Sequence, residues 1–422
     1  MKSLAIIGAQ WGDEGKGKIS DYFGQKADLV VRFQGGNNAG HTIIVGDVKT
    51  ILHVIPSGVL HKNCLSIIGH GVVFDPEAFL VELEEVRAAT EITGDNLKIS
   101  LGAAVITSYH KIIDGIREEG SGTKIGTTKK GIGPCYEDKI SRRGIKIKDL
   151  FDLENLEARL EEQIMEKKFL FDNLYKCEYP SCKEEAKKLF ELGKILKPFV
   201  ADTFGLIDDA VKAGRKILFE GAQGVLLDID YGSYPFVTSS NTSSGGVYTG
   251  AGLPGKQLDE SVGIVKAYTT RVGTGPFPTE QLNDMGELIQ TKGHEFGATT
   301  GRRRRCGWLD LPLLKYSAKV SNLTSLAVTK LDILSGLDEL KVCVGYEYEG
   351  EIYETAFPGL DLEKVKPVYR DMTPFNDTFE NGELSTELGE YIDIIEEFVG
   401  VPVGILAYGP ERSQISFRKE YF

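Results

Sequence analysis

An apolar run that ends in glycine and passes straight into a lysine-bearing glycine loop constrains this chain more than any other feature. Leu4 to Ile7 form the run, Gly8 closes it, and Gly8-Ala9-Gln10-Trp11-Gly12-Asp13-Glu14-Gly15-Lys16-Gly17-Lys18-Ile19-Ser20 follows. A short buried strand, this loop and a helix over Lys16 to Phe23 give the context that phosphate binding requires, because unpaired N–H groups at a helix N-terminus attract anions. Gly12 to Lys18 satisfy the Gly-x-x-x-x-Gly-Lys part of the nucleotide-loop pattern, but Ile19 stands where a Ser or Thr would hold magnesium. Asp13 and Glu14 also put two carboxylates inside a loop built to hold an anion.

Further strand-then-loop units follow. Leu29 to Phe33 reads as a strand broken by Gln34-Gly35-Gly36-Asn37-Asn38-Ala39-Gly40-His41, too rich in Gly and Asn for regular structure. Ile67 to Phe74 and Leu97 to Ile106 read as strands with a helix from Pro76 to about Ala89 between them, which is βαβ organisation. Lys216 to Phe219 runs into Glu220-Gly221-Ala222-Gln223-Gly224 and then a polar loop from Tyr231 to Gly246; Val262 to Ala267 runs into a loop from Thr269 to Pro276. Ligands in open α/β sheets sit beyond the carboxyl ends of strands, so these loops are expected to converge on one crevice. From about 150 to 213, Leu153, Leu156, Leu160 and Ile164, then Ala186, Leu189, Phe190 and Leu196, recur at helical spacing among charges. That stretch reads as a packed helical insertion without chemistry, inside one α/β domain over 1–422.

With 41% hydrophobic residues in 422, the chain can bury a large core, while a net charge of −13 argues against coating nucleic acid or an anionic membrane. An anion must then be met by a local cation cluster. The densest is Thr299-Thr300-Gly301-Arg302-Arg303-Arg304-Arg305. If this segment is extended, Arg302 and Arg304 face one way and Arg303 and Arg305 the other; one pair then grips anionic ligands while the other reaches acidic partners in the protein. Leu326 to Thr329 reads as a strand ending in Lys330-Leu331-Asp332. A carboxylate there accepts from the N1–H and amine of guanine, although Lys-x-Asp alone is equally a surface strand end. The cysteines at 64, 135, 177, 182, 306 and 343 lack metal-ligand spacing and read as reduced thiols. The first apolar run is too short for a signal peptide or membrane span, so a cytoplasmic chain is expected.

Gly12-Asp13-Glu14-Gly15-Lys16-Gly17-Lys18, Asn38-Ala39-Gly40-His41-Thr42, Gly126-Thr127-Thr128 with Gly131-Ile132-Gly133-Pro134, Glu220-Gly221-Ala222-Gln223-Gly224, Thr299-Thr300-Gly301-Arg302 and Lys330-Leu331-Asp332 together resemble the motifs of the adenylosuccinate synthetase family, in its order, from residue 4 to about 412. The resemblance implies a P-loop-like central, mostly parallel sheet with flanking helices, and a homodimer that joins IMP to L-aspartate using GTP and Mg2+. By the same resemblance Asp13 is the base that takes the N1 proton of IMP and, with Gly40, a magnesium ligand; His41 is the acid at the transferring phosphoryl group; Gln223 holds the purine. GTP contacts fall to Gly12, Gly15, Lys16, Gly17, Lys18, Thr42, Arg304, Lys330, Asp332 and Gly409. IMP contacts fall to Asn38, Thr128, Thr238, Arg302 and, donated to the other subunit, Arg142. Aspartate contacts fall to Thr299, Thr300, Arg302 and Arg304. One departure is Ala407-Tyr408-Gly409 where many members carry Ser-Thr-Gly, which removes hydroxyls near the base and leaves the backbone.

Two other readings remain open on sequence alone. A GTP-binding switch needs neither IMP nor aspartate, and leaves Asp13 and the arginine run without a task. Another carboxylate-amine ligase or small-molecule kinase would turn over GTP with a different acceptor.

Overall fold

The computed structural model describes residues 2–45, 48–120, 125–253, 257–297, 301–377, 379 and 384–422. Its centre is a ten-stranded sheet in the order Ile415–Phe417, Val403–Ala407, Ser325–Thr329, Glu260–Lys266, Lys2–Gly8, Lys216–Glu220, Leu29–Arg32, Leu65–Ile68, Leu97–Ser100 and Val200–Ala201. Every pairing is parallel except that of Ile415–Phe417 with Val403–Ala407. Parallel strands covered by helices on both faces are buried on both, which explains why they read as unbroken apolar runs. Alternate residues of Lys2–Gly8 accordingly enter different cores: Ala5 and Ile7 join one, Leu4 and Ile6 the other. Each fully buried Leu or Ile side chain of this kind contributes about 1.5–3 kcal/mol.

Strand order reverses at Lys2–Gly8. The next strands in sequence lie to one side of it, while Glu260–Lys266, Ser325–Thr329 and Val403–Ala407 lie to the other. A crevice opens beyond the carboxyl end of such a switch point, here at Gly8 and the loop that follows.

Two expected strands are broken in the structure. Ile67 to Phe74 divides into Leu65–Ile68 and Val73–Phe74, and Leu97 to Ile106 into Leu97–Ser100 and Ala104–Val105. The second pieces leave the large sheet and pair with each other. Glycines make the break: a Cβ on Gly71 would lie 2.2 Å from the carbonyl oxygen of Phe33, so only a bare backbone passes there. The stretch 150–213 holds the helices Leu153–Phe169, Cys182–Leu196 and Thr203–Lys212, and also the edge strand Val200–Ala201, too short to show a period. Among the described residues no helix is long and apolar enough to cross a membrane.

A smaller sheet joins Leu309–Asp310, Leu340–Tyr348, Glu351–Tyr353 and Lys366–Met372. Asp310 caps the helix Leu311–Val320: its Oδ1 accepts from Leu313 N at 3.1 Å and from the Tyr346 hydroxyl at 2.6 Å, while Oδ2 is buried without a partner. Burial pushes this carboxyl up to about 7. An unfolded Asp titrates near 3.9, so the folded state holds the proton more tightly, and the stability this contributes at low pH is lost as pH rises from about 4 through 7. Asp310→Asn keeps the Oδ1 acceptor and cannot ionise. Its melting midpoint at pH 8 is expected to exceed the parent's by a few degrees, with a smaller difference at pH 5. Calorimetry at the two pH values checks this; equal differences would refute it.

Candidate active site

The loop after Gly8 is shaped by close backbone approach. A Cβ on Gly8 would lie 2.4 Å from the carbonyl oxygen of Gln223 and 2.6 Å from Glu14 Oε2. Gly12 and Gly15 take φ of 86° and 89°, and between them Asp13 adopts φ 59°, a left-handed conformation that Asp tolerates better than most residues. The acidic pair divides its labour. Glu14 is fully buried, and its Oε1 accepts from Gln10 N at 3.0 Å and Gly12 N at 2.9 Å while Oε2 pairs with Lys16 Nζ at 2.5 Å. It staples the loop from inside. Asp13, with its side chain 35% exposed, is left facing the crevice, where Arg304 Nε donates to its Oδ2 at 2.8 Å.

His41 begins the hairpin of His41–Val45 and Val48–Leu52 and is buried against Glu220, the last residue of its strand. Nδ1 lies 2.8 Å from Glu220 Oε1. Glu220 also accepts from Ser57 N at 3.1 Å and Ser57 Oγ at 2.5 Å, with Arg32 Nη1 3.8 Å away. Burial pushes this carboxyl up, but His41, Arg32 and Ser57 outweigh it and hold it at about 2. Because an ionised carboxylate only accepts, the shared proton sits on His41 Nδ1. Burial also lowers the His41 pKa, so the free protein holds a neutral ring whose buried Nε2 has no partner. Gln223 is alike: φ is 56°, Nε2 donates to Asn38 Oδ1 at 3.2 Å, and Oε1 is buried and unpartnered. Buried polar groups of native proteins are nearly always paired, so two orphans together mark places a ligand fills.

The arginine run is extended, pairing with 295–297 through Gly297 N to Arg302 O at 2.8 Å and Arg304 N to Glu295 O at 2.9 Å. Its side chains alternate as expected. Arg302 reaches the Gly126 carbonyl and Arg304 reaches Asp13, while Arg303 turns to Gln290 and Arg305 to Glu280. Thr299 and Thr300 lie outside the described residues.

At the other end, Lys330 has φ 62° and donates to the Gly293 carbonyl at 2.7 Å. Asp332 Oδ1 accepts from Gly409 N at 2.8 Å, and Lys18 Nζ donates to the carbonyls of Gly409 at 3.1 Å and Gln414 at 2.6 Å. Lys18 is therefore turned to the 409–414 loop, and its burial lowers its pKa to about 8 despite Asp332 and Glu411. Tyr408, at the departure from Ser-Thr-Gly, stacks on Phe379 with ring centroids 4.8 Å apart.

One cavity of about 1540 Å3 gathers most of these groups: Gly12, Asp13, Gly15, Lys16, Gly17, Asn38, Gly40, His41, Thr42, Thr128, Gln223, Thr238, Arg302, Arg304 and Lys330 line it. Lys18, Asp332 and Gly409 do not, and Arg142 stands exposed after the helix Ile132–Ile140, away from the cavity wall. The volume exceeds the ~300–1,000 Å3 of a site for one small ligand, leaving room for several substrates at once. Leu174 and Tyr175, from the stretch read as free of chemistry, also reach the wall, because apolar spacing reports packing and not what the end of the π-helical turn Leu170–Tyr175 touches. Glu295, which binds Arg304, gave no sequence signal: it sits in His294-Glu295-Phe296-Gly297, without period or motif. Arg271 lines the cavity too, 4.8 Å over the Trp11 ring, and locks the glycine loop to the neighbouring wall.

Comparison with known proteins gives this arrangement a context. The family model for adenylosuccinate synthetase matches residues 5–416. The adenylosuccinate synthetase of Francisella tularensis subsp. novicida is 58% identical over 425 residues, spanning 100% of this chain and 99% of that one. The enzyme of Francisella philomiragia subsp. philomiragia is also 58% identical over the same span. Among solved structures, fully ligated adenylosuccinate synthetase from Plasmodium falciparum superposes with a TM-score of 0.91 at 39% identity, covering 99% of each chain. Cyanophage S-2L succinoaminodeoxyadenylate synthetase, at 18% identity and a TM-score of 0.64, shares the fold. A match this long and this even, over a cavity whose lining comes from the same motifs, means that the chain belongs to the adenylosuccinate synthetase family.

Proposed function

We propose that the chain catalyses the GTP-dependent ligation of IMP and L-aspartate, giving adenylosuccinate, GDP and phosphate in purine biosynthesis, through a 6-phosphoryl-IMP intermediate formed at the cavity described above. The observation that carries the reading is the pair of buried, unpartnered atoms, His41 Nε2 and Gln223 Oε1, on the wall that also bears Asp13. The lactam oxygen of IMP is a poor nucleophile. Asp13 takes the N1 proton, which places negative charge on that oxygen so that it attacks the γ-phosphate of GTP; a carboxylate is a weak base for this step, so cations must hold the oxyanion. Lys16 supplies one of them. Gln223 and Asn38 orient the purine, with Thr128, Thr238 and Arg302 on the remainder of IMP. His41 is neutral in the free protein; the arriving phosphates raise its proton affinity, it becomes imidazolium with Glu220 as counter-charge, and Nε2–H then donates to the transferring group. The amine of aspartate, whose carboxylates meet Arg302, Arg304 and the segment at Thr299 and Thr300, displaces phosphate from C6.

At the guanine end, Lys18 and Asp332 hold Gly409 from two sides, and Lys330 and Thr42 complete the GTP contacts. Mg2+ fits the donor set: the Asp13 carboxylate and the Gly40 carbonyl are hard oxygen ligands on the cavity wall. Among the described residues no cluster of three or more His, Cys, Asp or Glu forms a dedicated cage, as suits an ion that keeps water and substrate phosphates as its other ligands. Bound there, it would neutralise phosphate charge. The exposed position of Arg142 suits a homodimer in which this residue serves the partner's IMP.

Phosphate release from GTP and Mg2+, omitting IMP or aspartate in turn, tests the reading. Release is expected only with all substrates present; release from GTP alone, indifferent to both omissions, would replace the ligase with a switch GTPase.

A further inference from the structure

Arg304 holds two carboxylates at once. Its Nε donates to Asp13 Oδ2 at 2.8 Å and its Nη1 to Glu295 Oε2 at 2.6 Å. Glu295 is fully buried, takes Lys266 Nζ at 2.9 Å on both oxygens and the Tyr268 hydroxyl at 2.5 Å on Oε1, and has Lys330 Nζ 3.9 Å away. Lys266 ends one central strand and Lys330 follows the next, so this carboxylate is where the base-recognition strand, its neighbour and the arginine segment meet. Burial pushes it up, but Lys266, Lys330 and Arg304 bring it down to about 2, and it remains ionised. A buried ion cluster of this kind contributes little net stability for its desolvation, and its better attested use is to fix one geometry.

We propose that Glu295 is a positioning residue for the ligation: it fixes the guanidinium of Arg304 where it can pass from Asp13 to the carboxylate of incoming aspartate. The proposal rests on the reading of Asp13 as the base and Arg304 as an aspartate contact. Held by Glu295, Arg304 gives Asp13 a single N–H and keeps its plane aimed at the cavity. Without that anchor it is free to turn both edges of its fork to Asp13, which occupies the base and withdraws the aspartate contact together.

Steady-state kinetics of the full-length Glu295→Asp and Glu295→Gln variants test this. Glu295→Asp keeps the buried charge and its pairing with Lys266, so the fold is retained, but draws the carboxylate back by one C–C bond of about 1.5 Å. Both variants are expected to raise KM for aspartate and lower kcat, each on the order of 10-fold or more, with a smaller rise in KM for GTP, which Arg304 and Lys330 also contact, and KM for IMP within about 2-fold. A residue that only supports folding would lower the melting midpoint or the yield of active enzyme and leave those KM ratios alone. An unchanged KM for aspartate in folded Glu295→Asp, or equal rises in all three KM values, overturns the proposal. Asp13→Asn is assayed beside them: if it is inactive while the Glu295 variants behave as the parent, only the positioning role falls, and if it is fully active the base assignment falls and takes this proposal with it.

Discussion

Asp13→Asn is expected to lower kcat for the complete reaction by about 10²–10⁴-fold while leaving the protein folded. Asparagine is the informative choice. The residue stands at φ 59°, where Asn is at ease and Ala adds about 1–2 kcal/mol of backbone strain, so an Ala variant would mix a chemical loss with a distorted loop. The ion pair lost to Arg304 joins a carboxylate 35% exposed, and contacts of that kind contribute about 0–1 kcal/mol, so the melting midpoint should move little. The neighbouring Glu14 gives the contrast: it is fully buried, closes the loop on Gln10 N, Gly12 N and Lys16, and its removal would damage the loop before it reported on chemistry. Phosphate release with all substrates measures the first effect, and calorimetry the second. Retention of more than about a tenth of parental kcat by a folded Asp13→Asn would remove Asp13 from the base role.

His41→Asn is expected to cost about 10²–10³-fold in kcat, the usual size of losing one donor aimed at developing charge. Glu220→Gln should cost a comparable factor by a different route. It leaves the ring in place but removes the anion that balances an imidazolium, so His41 in the substrate complex gives up its proton at lower pH. Since His41 must be protonated to donate from Nε2, parental activity falls as pH rises through its pKa in the complex, and in Glu220→Gln that basic limb moves toward acid. Profiles of kcat between about pH 6 and 9 check the direction. A limb that stays where it was assigns it to another group. Glu220→Gln will also be less stable, because Arg32 is wholly buried and loses its counter-charge.

Much of this site was legible in the residues themselves. The glycine loop, the strand before it and the helix after it follow from an apolar run, glycines at fixed offsets and two lysines, all local properties. Alternation along the arginine run followed from the period of an extended chain, and the structure sends Arg302 and Arg304 to the cavity and Arg303 and Arg305 away from it. Where the reading slipped, a non-local fact intervened. The strand expected at 67–74 breaks where Gly71 must clear the Phe33 carbonyl, and the one at 97–106 breaks at Gly102, which packs bare against the His70 ring, both neighbours remote in sequence. Spacing also says nothing of the 409–414 loop, which offers Lys18 two carbonyls from the far end of the chain.

By itself, then, the sequence determined the strands that feed the glycine loops, which residue types the chemistry has at its disposal and, through its motifs, the family. Only the tertiary structure decided which groups act together. Glu220 lies 179 residues from His41, and Asp13 lies 291 from Arg304. The physical reason is that local spacing sets a side chain's direction, whereas charge state, orphaned atoms and shared cavities depend on what packs against it from strands far apart in the chain.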